Sequence, residues 1–198
     1  MSGMNRVLCV GALVAGLACA VGESATPHRA SPPQSPETFG IGRTATAEEI
    51  AAWDVDIMPD GTGLPPGSGT AMEGSALYAA QCAVCHGPTG VEGPYNVLVG
   101  RVDGDAFPFG NNPSVRSTIG NYWPYATTVY DYINRTMPFD ARGNLQADEV
   151  YSLVAALLHM NGIIGEDEVM NAESLPEVRM PARDRFVRDD RTGGPEIR

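Results

Sequence analysis

The clearest periodic pattern of apolar residues lies toward the C-terminal end of the chain. Five apolar positions recur at the i, i+3, i+4, i+7, i+8 spacing that places side chains on one face of a helix: Val150, Leu153, Val154, Leu157 and Leu158. Asp148 and Glu149 come just before them, where acidic side chains interact favourably with the helix dipole, and Asn161-Gly162 follows as a helix end. The pattern predicts an amphipathic helix whose apolar face lies in the core.

A second helical pattern runs from about residue 71 to residue 85. Gly74, Leu77, Tyr78 and either Gln81 or Cys82 recur there at helical spacing. A glycine inside a helix costs about 1 kcal/mol relative to alanine, which suggests that another helix crosses closely at Gly74. The expected partner is the amphipathic helix predicted around residues 150–158.

Two more helices are predicted from local signals. Pro124 can open a helix over residues 125–135. The inward face of that helix consists of Val129, Tyr130 and Ile133. Upstream, Thr46 and Glu49 have the spacing of a capping box and predict a short helix within residues 44–53.

The remaining segments divide the chain around these helices. We expect an export signal at 1–20, a linker at 21–38, an N-terminal arm at 39–70, a central domain at 71–165 and a C-terminal tail at 166–198. The linker is rich in Ser, Pro, Ala and Thr, a composition typical of disorder. The tail has no periodic apolar face, so it is not expected to build a core of its own.

The first twenty residues have the features of a cleaved signal peptide. Arg6 provides a positive charge, Val7 to Leu17 is apolar but too short to span a bilayer comfortably, and Ala18-Cys19-Ala20 fits a cleavage site. We therefore expect a periplasmic protein without a transmembrane span. Acylation of Cys19 is the alternative, although Gly16 stands where a lipoprotein signal would have leucine.

Charge limits the classes of partner. The formal net charge is −11, and all thirteen basic residues are arginine. Such an acidic chain is not expected to bind nucleic acid or anionic membrane surfaces. It favours a protein partner with a basic docking patch.

The most informative stretch of the chain is Cys82-Ala83-Val84-Cys85-His86, the attachment sequence of c-type haem. Two thiols one helical turn apart can add to the two vinyl groups on one edge of the porphyrin, and the following histidine can bind the iron. Because the sequence contains a single such motif, we expect one covalently bound haem, with His86 as the first axial ligand.

Other interpretations of the cysteine pair have less support. A zinc site would need two more ligands, and the other cysteines, Cys9 and Cys19, lie in the leader. A thioredoxin-like pair would need a βαβ context and gives no role to His86. The two-residue spacing disfavours a structural disulfide.

A second iron ligand must come from elsewhere in the chain. Three methionines precede a proline, at positions 58, 137 and 180. Proline disfavours the α region for the residue before it, so Met137 should be held extended on a loop between the haem motif and the closing helix. Three other residues are weaker candidates for the second iron ligand: Met58 in the arm, Met180 in the tail and His159 at the end of the last helix. A backbone carbonyl near Pro94 is expected to accept the other ring N–H of His86.

The arrangement of haem motif, Met-Pro loop and closing amphipathic helix resembles class I cytochromes c. The resemblance covers roughly residues 72–164 and includes Gly74-x-x-x-Tyr78, which looks like the helix-crossing pair of that family. It implies an all-α class I cytochrome c fold with terminal extensions, in which His86 and Met137 hold the haem iron. Ala156 departs from the family, which usually has an aromatic residue there.

A narrower resemblance is to the cytochrome c subunits of periplasmic molybdenum sulfite and sulfane dehydrogenases. The residues that carry it are Tyr122-Trp123-Pro124-Tyr125-Ala126-Thr127-Thr128, Tyr132 to Phe139, Asp148 to Tyr151, Phe39 to Arg43 and Met180 to Asp184. The resemblance implies a subunit that transfers single electrons, with no catalytic residues of its own. The electron donor would be such a dehydrogenase, and the acceptor another cytochrome or an oxidase, in a pathway of sulfur oxidation.

Three alternatives remain open at this stage. The donor could be another periplasmic dehydrogenase acting on alcohols or aldehydes. The haem could instead serve a peroxidase-like or ligand-binding function, which would need an open sixth position. The tail could pack on its own domain, or it could order on a partner through anchors such as Phe186 and Arg183.

Overall fold

The computed structural model describes residues 40–102, 106–109 and 111–187. The predicted signal peptide at 1–20, the linker at 21–38 and Phe39 lie outside these ranges, as do Cys9 and Cys19. From Ala45 onwards, the described residues belong to a single compact unit.

Six helices and one small sheet make up the described part of the chain. The helices are α1 (Ala47–Ala51), α2 (Ala71–Gln81), α3 (Ala83–His86), α4 (Ile119–Tyr122), α5 (Ala126–Thr136) and α6 (Ala147–Met160). Two short strands, β1 (Ser68–Gly69) and β2 (Met170–Asn171), pair antiparallel. Single 3₁₀ turns follow at Leu175–Glu177 and Arg183–Arg185. This mostly helical architecture confirms the predicted fold class.

Helix α6 forms the centre of the core. All five residues of its predicted apolar stripe are buried, and the residues between them from Tyr151 to Ala156 are buried as well. The helix is therefore surrounded by other elements rather than lying on the surface. Glu149 closes its first turn by accepting a hydrogen bond from the Gln146 amide at 2.8 Å.

Helix α2 crosses α6 at the predicted glycine. A Cβ atom at Gly74 would lie 1.8 Å from the carbonyl oxygen of Ser152 and 2.9 Å from the Cβ of Ala156. Only glycine permits this approach of two backbones. Ala156, which departs from the family pattern, thus lies directly at the crossing.

Several predicted boundaries need correction. The helix expected over 71–85 is interrupted at Cys82, which ends α2 and precedes α3. Helix α5 begins at Ala126 and ends at Thr136, one residue later at each end than predicted. Helix α4 was missed, because four residues are too short to show periodicity; its start is capped by the Thr118 side chain. The capping box of α1 at Thr46 and Glu49 is confirmed.

The arm and the tail both contribute to the core. Ile57 of the arm and Met170, Leu175 and Met180 of the tail are buried among the helices, and β1 of the arm pairs with β2 of the tail. The tail builds no separate core among the described residues; its isolated apolar residues complete the core of the helices. Of the two alternatives for the tail, this packing corresponds to the first.

No helix in the described part of the chain is long and apolar enough to cross a membrane.

Candidate functional site

The first cysteine of the motif, Cys82, lies at the break between α2 and α3, and the second, Cys85, lies within α3. Cys82 has φ −109° and ψ −35°, and its amide donates to the Tyr78 carbonyl at 2.8 Å. Its own carbonyl accepts from the amides of Cys85, at 3.0 Å, and His86, at 2.9 Å. One turn of helix thus carries both thiols and the imidazole, and both thiols are free of disulfides.

The environment of Cys82 is apolar. It is partly buried and packed against the hydrophobic core, together with Ala83. Burial, and to a smaller extent the neighbouring Cys85, raises the pKa of the Cys82 thiol to about 11. Before haem is attached, this thiol is therefore protonated at neutral pH.

The ring of His86 is held by a backbone carbonyl. Its Nδ1 lies 2.8 Å from the carbonyl oxygen of Asn96. Because a carbonyl can only accept a hydrogen bond, Nδ1 carries the proton, and the lone pair on Nε2 remains for a metal. A carbonyl near Pro94 was predicted for this role; the structure places the acceptor two residues further along the loop.

The loop after the motif lies directly against it. The Tyr95 amide donates to the Cys85 carbonyl at 3.3 Å, and a Cβ atom at Gly93 would lie only 2.1 Å from the same oxygen. On the other side, the buried hydroxyl of Tyr78 donates to the Gly87 carbonyl at 2.9 Å. Burial raises the pKa of Tyr78 to about 12, so the hydroxyl remains a donor. These contacts fix the backbone on both sides of His86.

Met137 has the predicted conformation. It follows α5 with φ −122° and ψ 148°, an extended geometry, and its amide donates to the Ile133 carbonyl at 3.0 Å. Its side chain is partly buried against the same hydrophobic core that Cys82 and Ala83 border. The motif and the Met-Pro loop therefore share one core.

The other candidates for a second ligand have different surroundings. Met180 is 1% exposed and belongs to the core, which accounts for it as a packing residue. Met58 is 52% exposed in the arm. His159 is exposed on α6, with Nδ1 3.3 Å from the Ile164 carbonyl. Met137 alone among the four combines an extended loop with partial burial at the edge of the core.

The donor atoms of this site match a covalently held haem. Two free thiols one turn apart, an imidazole with its tautomer fixed and a partly buried thioether are the types of group that haem c uses for covalent attachment and axial ligation. Across residues 40–102, 106–109 and 111–187, no group of three or more His, Cys, Asp or Glu side chains is arranged to hold a metal ion.

Sequence reasoning missed the polar residues that hold the loop after the motif. Asn161 was predicted only as the end of α6, but its side-chain amide is buried and bonded to Gly100, Gly120, Leu98 and Leu157. Thr118 donates to the Gly100 carbonyl at 2.5 Å, and Asn121 accepts from the Val102 amide at 2.6 Å. The only signal in the sequence was the presence of Thr and Asn around an otherwise unassigned stretch.

Comparison with known proteins agrees with this geometry. The family model described as cytochrome c oxidase, cbb3-type, subunit III matches residues 69–155. Among solved structures, the chain is similar to a chain of the sulfane dehydrogenase SoxCD from Paracoccus pantotrophus. The identity is 41%, the TM-score is 0.67, and the match covers 81% of each chain. The curated proteins contain no match.

These findings define the class of protein. The chain belongs to the class I cytochromes c, a family of electron-transfer proteins that carry covalently bound haem c. Within that class it resembles a chain of a sulfane dehydrogenase, which agrees with the narrower resemblance found in the sequence.

Proposed function

We propose that this chain is a monohaem cytochrome c of the periplasm that passes single electrons from a molybdenum sulfane or sulfite dehydrogenase to another cytochrome or an oxidase. Cys82 and Cys85 attach the haem, and His86 and Met137 are its axial iron ligands. The observation that carries the proposal is the 2.8 Å contact between His86 Nδ1 and the Asn96 carbonyl. This contact keeps the proton on Nδ1, so the lone pair on Nε2 of the histidine in the attachment motif is free to bind iron.

Bound haem supplies the one-electron chemistry of the Fe(II)/Fe(III) couple; the protein sets its conditions. The Asn96 carbonyl polarises the His86 ring and makes it a better donor, which favours ferric iron. The Met137 thioether is a soft ligand that favours ferrous iron and raises the potential. Leu77, Leu98 and Trp123 are partly buried against the same core as Cys82 and Met137, and such apolar side chains would limit access of water.

The proposed donor rests on the similarity to a chain of the sulfane dehydrogenase SoxCD. A net charge of −11 without a single lysine suits a partner that presents basic side chains. The apolar leader with its small-residue cleavage site supports export to the periplasm. Haem would be attached in that compartment, and the proposed partner would be found there as well.

Haem stoichiometry tests the attachment site. The chain, coexpressed with a cytochrome c maturation system, should contain one covalent haem per polypeptide. Cys82→Ala and Cys85→Ala should each retain a single thioether bond, recognised by the shifted absorption of the pyridine haemochrome, and the double variant should retain none. Covalent haem in the double variant would refute the assignment.

Electron transfer from the donor is tested separately. The oxidised protein should be reduced when a molybdenum sulfite or sulfane dehydrogenase and its substrate are both present, and by neither alone. An alcohol dehydrogenase with its substrate is the matched control for the alternative donor. Turnover of sulfite by the isolated chain, without the molybdenum subunit, would show that it is an enzyme in its own right.

A further inference from the structure

The side-chain amide of Asn161 joins three separate segments of the protein. Asn161 is 4% exposed and follows the last turn of α6. Its Oδ1 accepts hydrogen bonds from the amides of Gly100, at 3.0 Å, and Gly120, at 3.1 Å. Its Nδ2 donates to the carbonyls of Leu98, at 3.3 Å, and Leu157, at 2.8 Å. The amide therefore uses all of its hydrogen-bonding capacity to hold α6, α4 and the loop that follows the haem motif.

That loop also carries the carbonyl that holds His86. Asn96, whose carbonyl oxygen lies 2.8 Å from His86 Nδ1, is two residues before Leu98. Leu98 is fixed on both sides: its amide donates to the Gly90 carbonyl at 2.8 Å, and its carbonyl accepts from Ile119 at 3.1 Å as well as from Asn161. Two residues of chain cannot move far when one end is fixed in this way, so the position of the Asn96 carbonyl depends on the bonds at Leu98 and Gly100.

We infer that Asn161 is a positioning residue for the axial imidazole: it holds the loop that carries the Asn96 carbonyl and thereby sets the strength of the hydrogen bond to His86 Nδ1. The inference rests on the proposed function, in which His86 binds the iron. A firmly held carbonyl increases the electron donation of the imidazole and favours ferric iron. Asn161 contacts neither the haem motif nor Met137 through any of its four bonds, so its effect is transmitted by the loop.

Replacement of Asn161 with alanine tests the inference. The variant leaves the amides of Gly100 and Gly120 without their acceptor, and the loss of these bonds weakens the attachment of the loop. Thr127→Val is the matched control, because the buried Thr127 hydroxyl also bonds a backbone carbonyl, that of Pro59 at 3.2 Å. Pro59 belongs to the arm rather than to the loop after the motif, so the control loses a similar bond elsewhere.

Two properties of the holoprotein are measured. Proton NMR of the reduced form follows the exchange of the His86 Nδ1 proton, and redox titration follows the ferric–ferrous equilibrium. In Asn161→Ala we expect exchange to accelerate about tenfold or more, corresponding to about 1.4 kcal/mol of lost local stability, and the equilibrium to move toward ferrous iron. Thr127→Val should change neither property, although it lowers global stability.

The outcomes separate the inference from the proposed function. If Asn161→Ala loses stability like the control but leaves proton exchange and potential unchanged, Asn161 is only structural and the inference is wrong. If wild-type protein carries no haem on Cys82 and Cys85, or its iron does not bind His86, the proposed function is wrong, whatever the variant does.

A measurement on the wild-type protein covers the case in which the variant does not fold. Native-state hydrogen exchange in low denaturant gives the opening free energies of the Gly100 and Gly120 amides and of the His86 Nδ1 proton. We expect the three protons to exchange through one common opening. If the glycine amides open without exposing the His86 proton, the loop does not transmit the effect of Asn161 and the inference fails.

Discussion

Replacement of Gly74 with alanine would place a methyl group inside the crossing of α2 and α6. The added Cβ would lie 1.8 Å from the carbonyl oxygen of Ser152, 2.3 Å from its carbonyl carbon and 2.9 Å from the Cβ of Ala156. Attractive contacts between such atoms lie at roughly 3.5 Å. Because the obstacle is the backbone of α6 rather than a flexible side chain, the two helices would have to separate by about 1.7 Å to restore such a distance.

Two opposing effects decide the result. Alanine improves the intrinsic helix propensity of α2 by about 1 kcal/mol. Overpacking a close contact usually costs about 1–3 kcal/mol and more where the backbone must move, as it must here. A separation would also loosen the contacts of the buried Tyr78, which lies one turn after Gly74 on the same face of α2. We therefore expect a net loss of about 2 kcal/mol or more, and a decrease in melting temperature of roughly 4–8 °C.

The assay is denaturant unfolding of the holoprotein, followed by far-ultraviolet circular dichroism and by haem absorption. Ser75→Ala is the matched control, because Ser75 is the next residue of α2 and is exposed. It should be neutral or slightly stabilising, since alanine is the better helix former. If Gly74→Ala were as stable as Ser75→Ala, the two helices would not cross as closely as described, and the explanation of the glycine would be wrong.

Three further experiments have expected outcomes. Met137→Ala should remove the methionine–iron absorption of the oxidised protein and lower the reduction potential, because the soft ligand that favours ferrous iron is lost; an unchanged spectrum would reject Met137 as the ligand. Met180→Ala should lower the free energy of unfolding in urea by about 2–5 kcal/mol, because this tail side chain is 1% exposed in the core. Phe186→Ala, at a residue that is 37% exposed, should lower it by less. If both effects were small and equal, the tail would be better explained as a segment that docks on a partner. Burial raises the pKa of Tyr151 to about 12, whereas a tyrosine in the unfolded chain has a pKa of about 10. The stability that the neutral phenol contributes is therefore complete below about pH 10. It is lost as the pH rises toward 12. Tyr151→Phe should make the unfolding midpoint less dependent on pH over that interval, and an identical alkaline profile would contradict the assignment.

The sequence was most informative where a signal is repeated or has a fixed spacing. The stripe of α6 repeats over five positions, and the capping box of α1 is a fixed pair, so both could be predicted. Gly74 was informative for a different reason: its unfavourable helix propensity needs a compensating contact, and the compensating contact is the backbone of α6. The extended backbone of Met137 followed from the restriction that proline places on its predecessor.

What could not be predicted depends on single residues that are far apart in the chain. Leu175 and Met180 have no periodic neighbours, so nothing local marks them as core, yet each is almost completely buried once β1 and β2 bring the tail beside the arm. Asn161 is similar, because an asparagine at the end of a helix is fully explained by its local role as a cap. Its bonds to Gly100 and Gly120 span 61 and 41 residues of sequence. Long-range hydrogen bonds of this kind leave no pattern in one sequence, and here they hold the loop on which the orientation of His86 depends.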